Sequence, residues 1–260
     1  MKRRIDQLLV ERGFAESRHK AQALLLAGQV LVEEQKIEKP GQRIDSDAPI
    51  RLLHQQPFAS RAGAKLQAAL DHFQLSIADR ACADLGASTG GFTDCLLQNG
   101  ARSVHAFDVG KGQLAWKLQR NPRVIVRDEF NVRALSQADL PEDISFVSID
   151  LSFISVTKVL PALKESLVSQ RSARSARRQP SVDVIVLVKP QFEVGKGEVG
   201  KGGVVRDSVK RIRALEAIEE FARQTGFQVL GNMASPVTGA RGNQEFLLYL
   251  RLVKGLLSLP

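Results

Sequence analysis

Along the first 55 or so residues the apolar positions keep helical spacing and then shorten into strand-like runs. Ile5, Leu8 and Leu9 recur at helical intervals, and Gly13 stops the pattern. Ser17 has the side chain to cap a second helix, 18–27, with Gly28 closing it. Residues 29–32, a polar turn and Lys36-Ile37 read as a short hairpin, and Pro40-Gly41 marks a further turn. These elements predict a small α+β unit. From about residue 80 the period changes, and β-rich runs alternate with helical segments. The predicted strands are 81–85, 103–107, 123–126, 144–149, 183–188, 227–230 and 246–252; the predicted helices are 93–99, 112–120, 155–169 and 207–225. In the last helix Val209, Ile212, Leu215, Ile218 and Phe221 form one stripe that Gly226 ends. Such alternation predicts an α/β fold, a seven-stranded doubly wound sheet with ligands at the carboxyl ends of its strands. The expected division is 1–59 for the small unit with its linker and 60–260 for the large one.

Composition narrows the class. Of 260 residues, 43% are hydrophobic and 25% charged, which excludes a disordered chain. The longest purely apolar runs, such as 23–27 and 184–188, are five residues, whereas a membrane span needs about 20. Met1-Lys2-Arg3-Arg4 imitates a basic leader, but Asp6, Glu11 and Arg12 interrupt any apolar segment behind it. Cys82 and Cys95 form no C-x-x-C pair and are expected to pack in a strand and a helix, so a reducing cytoplasm is the expected compartment.

The net charge of +9 suits a polyanionic partner: nucleic acid, an anionic membrane surface or an acidic protein. Residues 171–213 hold +7 of that excess, including Arg171, Arg174, Arg177 and Arg178 in a segment expected to be disordered when RNA is absent. A smaller basic group, Arg3, Arg4, Arg12, Arg18 and Lys20, gathers on the two amino-terminal helices. Only 14 aromatics argue against a protein that grips single strands mainly by stacking.

The candidate chemistry begins at Asp84-Leu85-Gly86-Ala87-Ser88-Thr89-Gly90-Gly91-Phe92-Thr93-Asp94, which joins the first large-unit strand to its helix. Glycine there lets a ligand approach the backbone. The spacing is not the dinucleotide fingerprint G-x-G-x-x-G. An acid two residues before the first glycine suits the ammonium of S-adenosylmethionine. Asp108, ending the second strand, suits a ribose diol, while Asp128 and Asn131 could border an adenine. Gly195 to Gly202 competes as a phosphate loop, but Gly202 stands where a magnesium-binding Ser or Thr belongs. Its Lys196 and Lys201, with Arg206, still form a cationic segment suited to phosphates.

Among methyl acceptors, amino groups and cytosine carbon-5 fit poorly. The fourth strand is followed by Asp150-Leu151-Ser152-Phe153 rather than an Asp/Asn-Pro-Pro-aromatic turn, and neither cysteine lies in a Pro-Cys loop. A hydroxyl acceptor needs a base. Lys189, ending the apolar strand 184–188, and Asp150, ending its expected neighbour, are the candidates.

Two resemblances follow. Residues 3–10, 17–24 and 28–32 resemble the S4-type RNA-binding domain, in which basic residues of the second helix face RNA. The whole chain resembles the TlyA (haemolysin A) family, which fuses such a domain to an FtsJ-like, Rossmann-like S-adenosylmethionine-dependent 2′-O-ribose methyltransferase. The carrying segments are 60–66, 84–94, 150–155, 188–193 and 242–246. The FtsJ-like Lys-Asp-Lys-Glu tetrad falls on Lys65, Asp150, Lys189 and Glu245. The resemblance implies ribosomal RNA or ribosomal subunits as partner, cytidine 2′-O-methylation in 16S and for some members 23S molecules, and no metal. It implies a cofactor site at Asp84, Gly86, Ser88, Gly90, Gly91, Phe92, Asp108, Asp128 and Asn131. RNA contacts are expected at Arg3, Arg4, Arg18, Lys20, Lys196, Lys201 and Arg206. Two other classes stand beside the enzyme: a non-catalytic RNA-binding or ribosome-assembly factor, and a membrane-lytic protein, which no apolar span supports. No oligomeric state is specified.

Overall fold

A computed structural model describes residues 1–53, 57–168, 181–195, 197–200 and 202–253. The chain forms two compact units that divide between Gln56 and Pro57, three residues before the boundary expected from the sequence. The reason is local: Phe58 is buried in the larger unit's core, and the Ala59 N–H donates to Asp94 at 2.8 Å.

The smaller unit contains β1 (Lys2–Arg4), α1 (Ile5–Glu11), α2 (Arg18–Leu26), β2 (Val30–Val32), β3 (Gln35–Ile37), β4 (Arg43–Asp45) and β5 (Ile50–Leu52). As expected, Ser17 caps α2, its side chain accepting from the Lys20 N–H. Strand β2 lies between β3 and β5, while β1 pairs with β4. Ile5, Leu9, Leu25 and Val30 are fully buried together. The helical spacing of the first two thus serves a core shared with α2 and β2.

The larger unit opens with α3 (Ala62–His72), a helix the sequence reading did not anticipate. It continues with β6 (Ala81–Leu85), α4 (Gly91–Gln98), β7 (Ser103–Phe107), α5 (Trp116–Gln119), β8 (Val124–Arg127), β9 (Ile144–Ile149), α6 (Leu160–Val168), β10 (Ser181–Val188), α7 (Pro190–Glu193), α8 (Ser208–Thr225), β11 (Gln228–Ala234) and β12 (Phe246–Val253). Seven strands form one sheet in the order β11-β12-β10-β9-β6-β7-β8, with β12 antiparallel to both neighbours. From β6 the chain first builds outward through β7 and β8, then returns to add β9 on the other side. That reversal opens a crevice at the carboxyl ends of β6 and β9, where doubly wound sheets bind ligands.

Alternate side chains of the strands serve two cores. Ala83, Leu85, Ile149 and Val186 face α6 and α8; Cys82, Phe146 and Ile185 face α3, α4 and α5. Strand β10 is apolar from Val184 to Val188 because both faces are covered. Truncating fully buried Leu66 of α3 to Ala would cost about 2–5 kcal/mol.

Two helices depart from expectation. The expected 112–120 helix shrinks to Trp116–Gln119, because the preceding backbone serves neighbouring loops: the Gly112 N–H donates to Asp128 and the Ala115 N–H to the Thr89 carbonyl. The expected 155–169 helix begins as a 3-10 turn at Val156–Lys158 before α6. Residue 169 and the arginine-rich segment through 180 lie outside the described residues.

Candidate active site

The crevice is a cleft of about 540 Å³, lined by residues that follow four strands: Gly86 after β6, Asp108 after β7, Asn131 after β8 and Asp150 after β9. Gly86 has φ +90°, and a Cβ there would strike the Asp150 carbonyl, so the loop requires glycine. Asp108 is held by two backbone donors, Ser88 N–H at 2.8 Å and Gly110 N–H at 2.7 Å. Ser88 lines the cleft beside it with φ +47°. Asn131 caps a 3-10 turn, its side chain accepting from the Arg133 N–H. These fixed polar groups, with Phe107 and Phe130 as apolar wall, suit a nucleoside: a carboxylate for the ribose diol and ring faces beside it.

Five of the expected cofactor residues do not line this cleft. Asp84 is fully buried beneath the loop, accepting from Thr93 Oγ1 at 2.7 Å and Ser148 Oγ at 2.9 Å. Burial pushes its pKa up to about 6, the two hydroxyls opposing and Asp150 reinforcing that rise. Thr93 and Ser148 fix the Asp84 carboxylate beneath the loop, behind the cleft lining. Gly90, at φ +93°, caps α4 and packs against Leu114 and Leu118. Gly91 sits where a Cβ would meet Ser60 and Ala62, and Phe92 is a core side chain. Asp128 holds the Gly112 N–H at 2.8 Å. These residues shape the cleft's walls from behind.

The four tetrad positions form two ion pairs. Lys189 Nζ lies 2.7 Å from Asp150 Oδ1 and donates to Ser152 Oγ at 2.9 Å. The contact with Asp150 is one of charge, since Oδ1 receives no aligned hydrogen bond. Lys65 Nζ donates to Glu245 Oε2 at 2.5 Å, with both side chains buried. In the ladder Val188 stands opposite Phe246, so one further step sets Lys189 opposite Glu245. All four thus gather at one edge of the sheet, carried by α3 and by the ends of β9, β10 and β12.

Sequence reasoning missed Phe153, which lines the cleft, is 91% exposed and has φ +65°. Its ring leans on Phe192 at 5.2 Å, and Lys189 stands 6.0 Å from the Phe192 centroid. An aromatic residue three positions after a strand-end acid is the available signal. Glu193, within segment 188–193, has a structural role of its own. It fastens the loop after β9, accepting from Ser155 Oγ at 2.5 Å and the Val156 N–H at 2.9 Å. Burial raises its pKa against those two donors. Cys82 and Cys95 are buried, and burial pushes both thiols up to about 12, so neither is a nucleophile.

Among the described residues of 195–202, the contacts are not those of a phosphate loop. The Gly195 N–H donates to Glu198, Gly200 bridges to Val204, and the next helix starts only at Ser208, capped by Asp207. Lys196 and Lys201 lie outside the described residues, and Arg206 is exposed. In the smaller unit every expected RNA-facing cation has a carboxylate partner: Arg3 with Glu11, Lys20 with Glu16, and both Arg4 and Arg18 with buried Asp6.

A sheet of this order, with a nucleoside-sized cleft at its switch point, defines a Rossmann-like S-adenosylmethionine-dependent methyltransferase. Residues 58–252 match the FtsJ-like methyltransferase family model, and residues 3–50 match the S4 domain. The chain belongs to the TlyA family, FtsJ-like methyltransferases with an amino-terminal S4 domain. It is 44% identical to the "Putative rRNA methyltransferase YqxC" of Bacillus subtilis, over 96% of this chain and 85% of that one. It is 42% identical to the "16S/23S rRNA (cytidine-2'-O)-methyltransferase TlyA" of Mycobacterium tuberculosis, over 95% and 89% of the two chains. A solved structure, "Putative hemolysin from Streptococcus thermophilus", superposes with a TM-score of 0.72 at 41% identity, covering 97% of this chain and 89% of that one. Among the described residues no helix is long and apolar enough to cross a membrane.

Proposed function

We propose that this protein moves the methyl group of S-adenosylmethionine to a ribose 2′-hydroxyl of ribosomal RNA, on cytidine of the 16S or 23S molecule, in the cytoplasm. The observation that carries this reading is the convergence of two lysine–carboxylate pairs on the sheet edge beside a nucleoside-sized cleft. The names of the relatives point to the same substrate, and the S4 unit supplies an RNA-binding module.

Gly86, Ser88, Asp108 and Asn131 would hold the cofactor, whose sulfonium supplies a methyl group already activated for transfer. Lys189 is the base. Asp150 holds Nζ by charge and Ser152 by a hydrogen bond, at the sheet edge beside the cleft. In the neutral amine the Nζ lone pair accepts the 2′-hydroxyl proton. The deprotonated oxygen would then take the methyl group that the bound sulfonium supplies, with the thioether as leaving group. Lys65 on α3 and Glu245 at the start of β12 orient the ribose, and Phe153 offers its exposed ring to the target base.

Isolated ribosomal subunits and naked ribosomal RNA are incubated with protein and labelled methyl donor, and the labelled ribose is mapped. Label on a cytidine 2′-oxygen is expected. Lys189→Ala should lower kcat by about 10²–10⁴-fold while cofactor affinity persists. No label in either subunit or in naked ribosomal RNA, or a Lys189→Ala protein of normal rate, refutes the reading.

A further inference from the structure

Beside the cleft, α5 presents an indole to solvent. Trp116 is 62% exposed, although tryptophan is among the more buried residue types on average. The Arg120 guanidinium lies over it, 4.9 Å from the ring centroid. The short helix is anchored from beneath by Leu118, which is buried and packs against Gly90. It is tied to the glycine loop by the Ala115 N–H, which donates to Thr89, and Gln113 just before it lines the cleft. The platform is therefore fixed at the mouth of the site.

Its charge selects a partner. Residues 109–127 contain Lys111, Lys117, Arg120, Arg123 and Arg127 and no carboxylate, although the region around them is neutral overall. Three of these cations are engaged: Lys111 with Glu129, Lys117 with Asp94, and Arg123 with the Leu97 and Ala101 carbonyls. Arg127 follows exposed Ile125 on the strand face away from α5, since Val124 and Val126 pack on the α5 side. Arg120 has no carboxylate partner among the described residues, so its charge is uncompensated beside the open ring. An exposed ring, a guanidinium plane and a free positive charge are the elements with which proteins hold an unpaired nucleotide.

We infer that Trp116 and Arg120 form a second RNA-contact surface of the methyltransferase unit: an unpaired base stacks on the indole, and Arg120 takes the adjoining phosphate. This inference rests on RNA being the substrate. The stacked base lies outside the reaction centre, so the surface guides the strand towards the cleft without touching the reacting atoms.

Trp116 is the sole tryptophan, so its emission reports this surface alone. The full-length protein is titrated with an unlabelled single-stranded RNA 12-mer and, separately, with inorganic polyphosphate, while anisotropy of a labelled copy of the RNA measures binding. RNA is expected to quench and shift the emission, and polyphosphate to leave it unchanged. Trp116→Ala should weaken RNA binding about 5- to 100-fold, Arg120→Ala should weaken it as well, and Trp116→Phe should restore most of the affinity. Circular dichroism confirms that each variant is folded. RNA that binds while Trp116 emission stays constant, or a Trp116→Ala protein of normal affinity, overturns the surface and leaves the proposed reaction standing. Emission that responds to whole subunits but not to naked RNA overturns it in favour of a protein contact. Absence of RNA binding by anisotropy overturns the surface, while methyl labelling of subunits and ribosomal RNA decides the proposed function separately.

Discussion

Lys65 Nζ and Glu245 Oε2 lie 2.5 Å apart across 180 residues of sequence, joining α3 to the start of β12. Both side chains are nearly without solvent, so each charge depends on the other for the stabilisation that water would otherwise give. The pair has little room to rearrange, because a Cβ at Gly239 would collide with the Glu245 carboxylate.

Removing one member should therefore cost more than removing both. Lys65→Met or Glu245→Leu alone strands a buried charge and should destabilise the larger unit by about 3–5 kcal/mol. The double variant restores neutrality and should cost less than either single change. Urea unfolding followed by Trp116 emission reads the larger unit directly. Costs that simply add would show that the two charges are not coupled.

Asp108 is the polar anchor of the cleft, and both of its oxygens are positioned by backbone donors, at Ser88 and Gly110. Asp108→Asn keeps the size but loses the charge and one strong acceptor. Cofactor affinity, measured by calorimetry, should fall about 10- to 100-fold, the worth of one or two hydrogen bonds to a charged group. Asp128→Asn, which alters a loop tie outside the cleft lining, should change it by less than about threefold. Equal losses in the two variants would mean that the diol is not bound by Asp108.

Much of this site could be read from the sequence because it lies at strand ends. The runs ending at Leu85, Phe107, Ile149 and Val188 have strand character and are bounded by Gly, Asp or Lys, so Gly86, Asp108, Asp150 and Lys189 could be placed before any coordinates. Helix α3 escaped notice although Leu66, Ala69, Leu70 and Phe73 keep helical spacing, since its small alanines blur the contrast. Strand order was also hidden: nothing local announces that β12 lies between β11 and β10, and only that insertion brings Glu245 opposite Lys189. The partners of Asp84 were hidden as well: a carboxylate before a glycine turn can face a ligand or the turn, and Thr93 and Ser148 meet it only in three dimensions.

The same Asp84 gives the larger unit a pH dependence of defined sign. Its folded pKa is raised to about 6 by burial, whereas an unfolded Asp titrates near 3.9. Between these values the unfolded chain has lost the proton that the folded chain keeps, so stability falls as pH rises through that window. The full contribution is about 3 kcal/mol, reached above pH 6. Asp84→Asn should remove this slope and be the more stable protein, relative to wild type, at pH 7.5 than at pH 4. Urea midpoints of both proteins from pH 3.5 to 7.5 check it; parallel curves would show that Asp84 is not the titrating group.

In the smaller unit Asp6 reverses a simple electrostatic expectation. It is fully buried and accepts from Arg4 Nε and Nη2 at 3.0 Å each, from Arg18 Nε at 2.8 Å and from Gln22 at 3.2 Å. Arg4, aided by Arg18 and Gln22, holds its pKa well below the usual carboxylate range despite burial. The stabilisation is present above the unfolded pKa and is lost as pH falls through the depressed folded value. Replacing an acid with a neutral residue on a basic face ordinarily tightens RNA binding, because the net positive charge grows. Here Asp6→Asn also frees two long side chains, each costing about 0.5–1.5 kcal/mol to immobilise again on RNA. If Asp6 presets both guanidiniums, affinity for ribosomal RNA should fall about tenfold despite the added charge, with the far-UV spectrum unchanged. Tighter binding by the Asp6→Asn protein would show that net charge governs this face and that Asp6 plays no part in aiming Arg4 and Arg18.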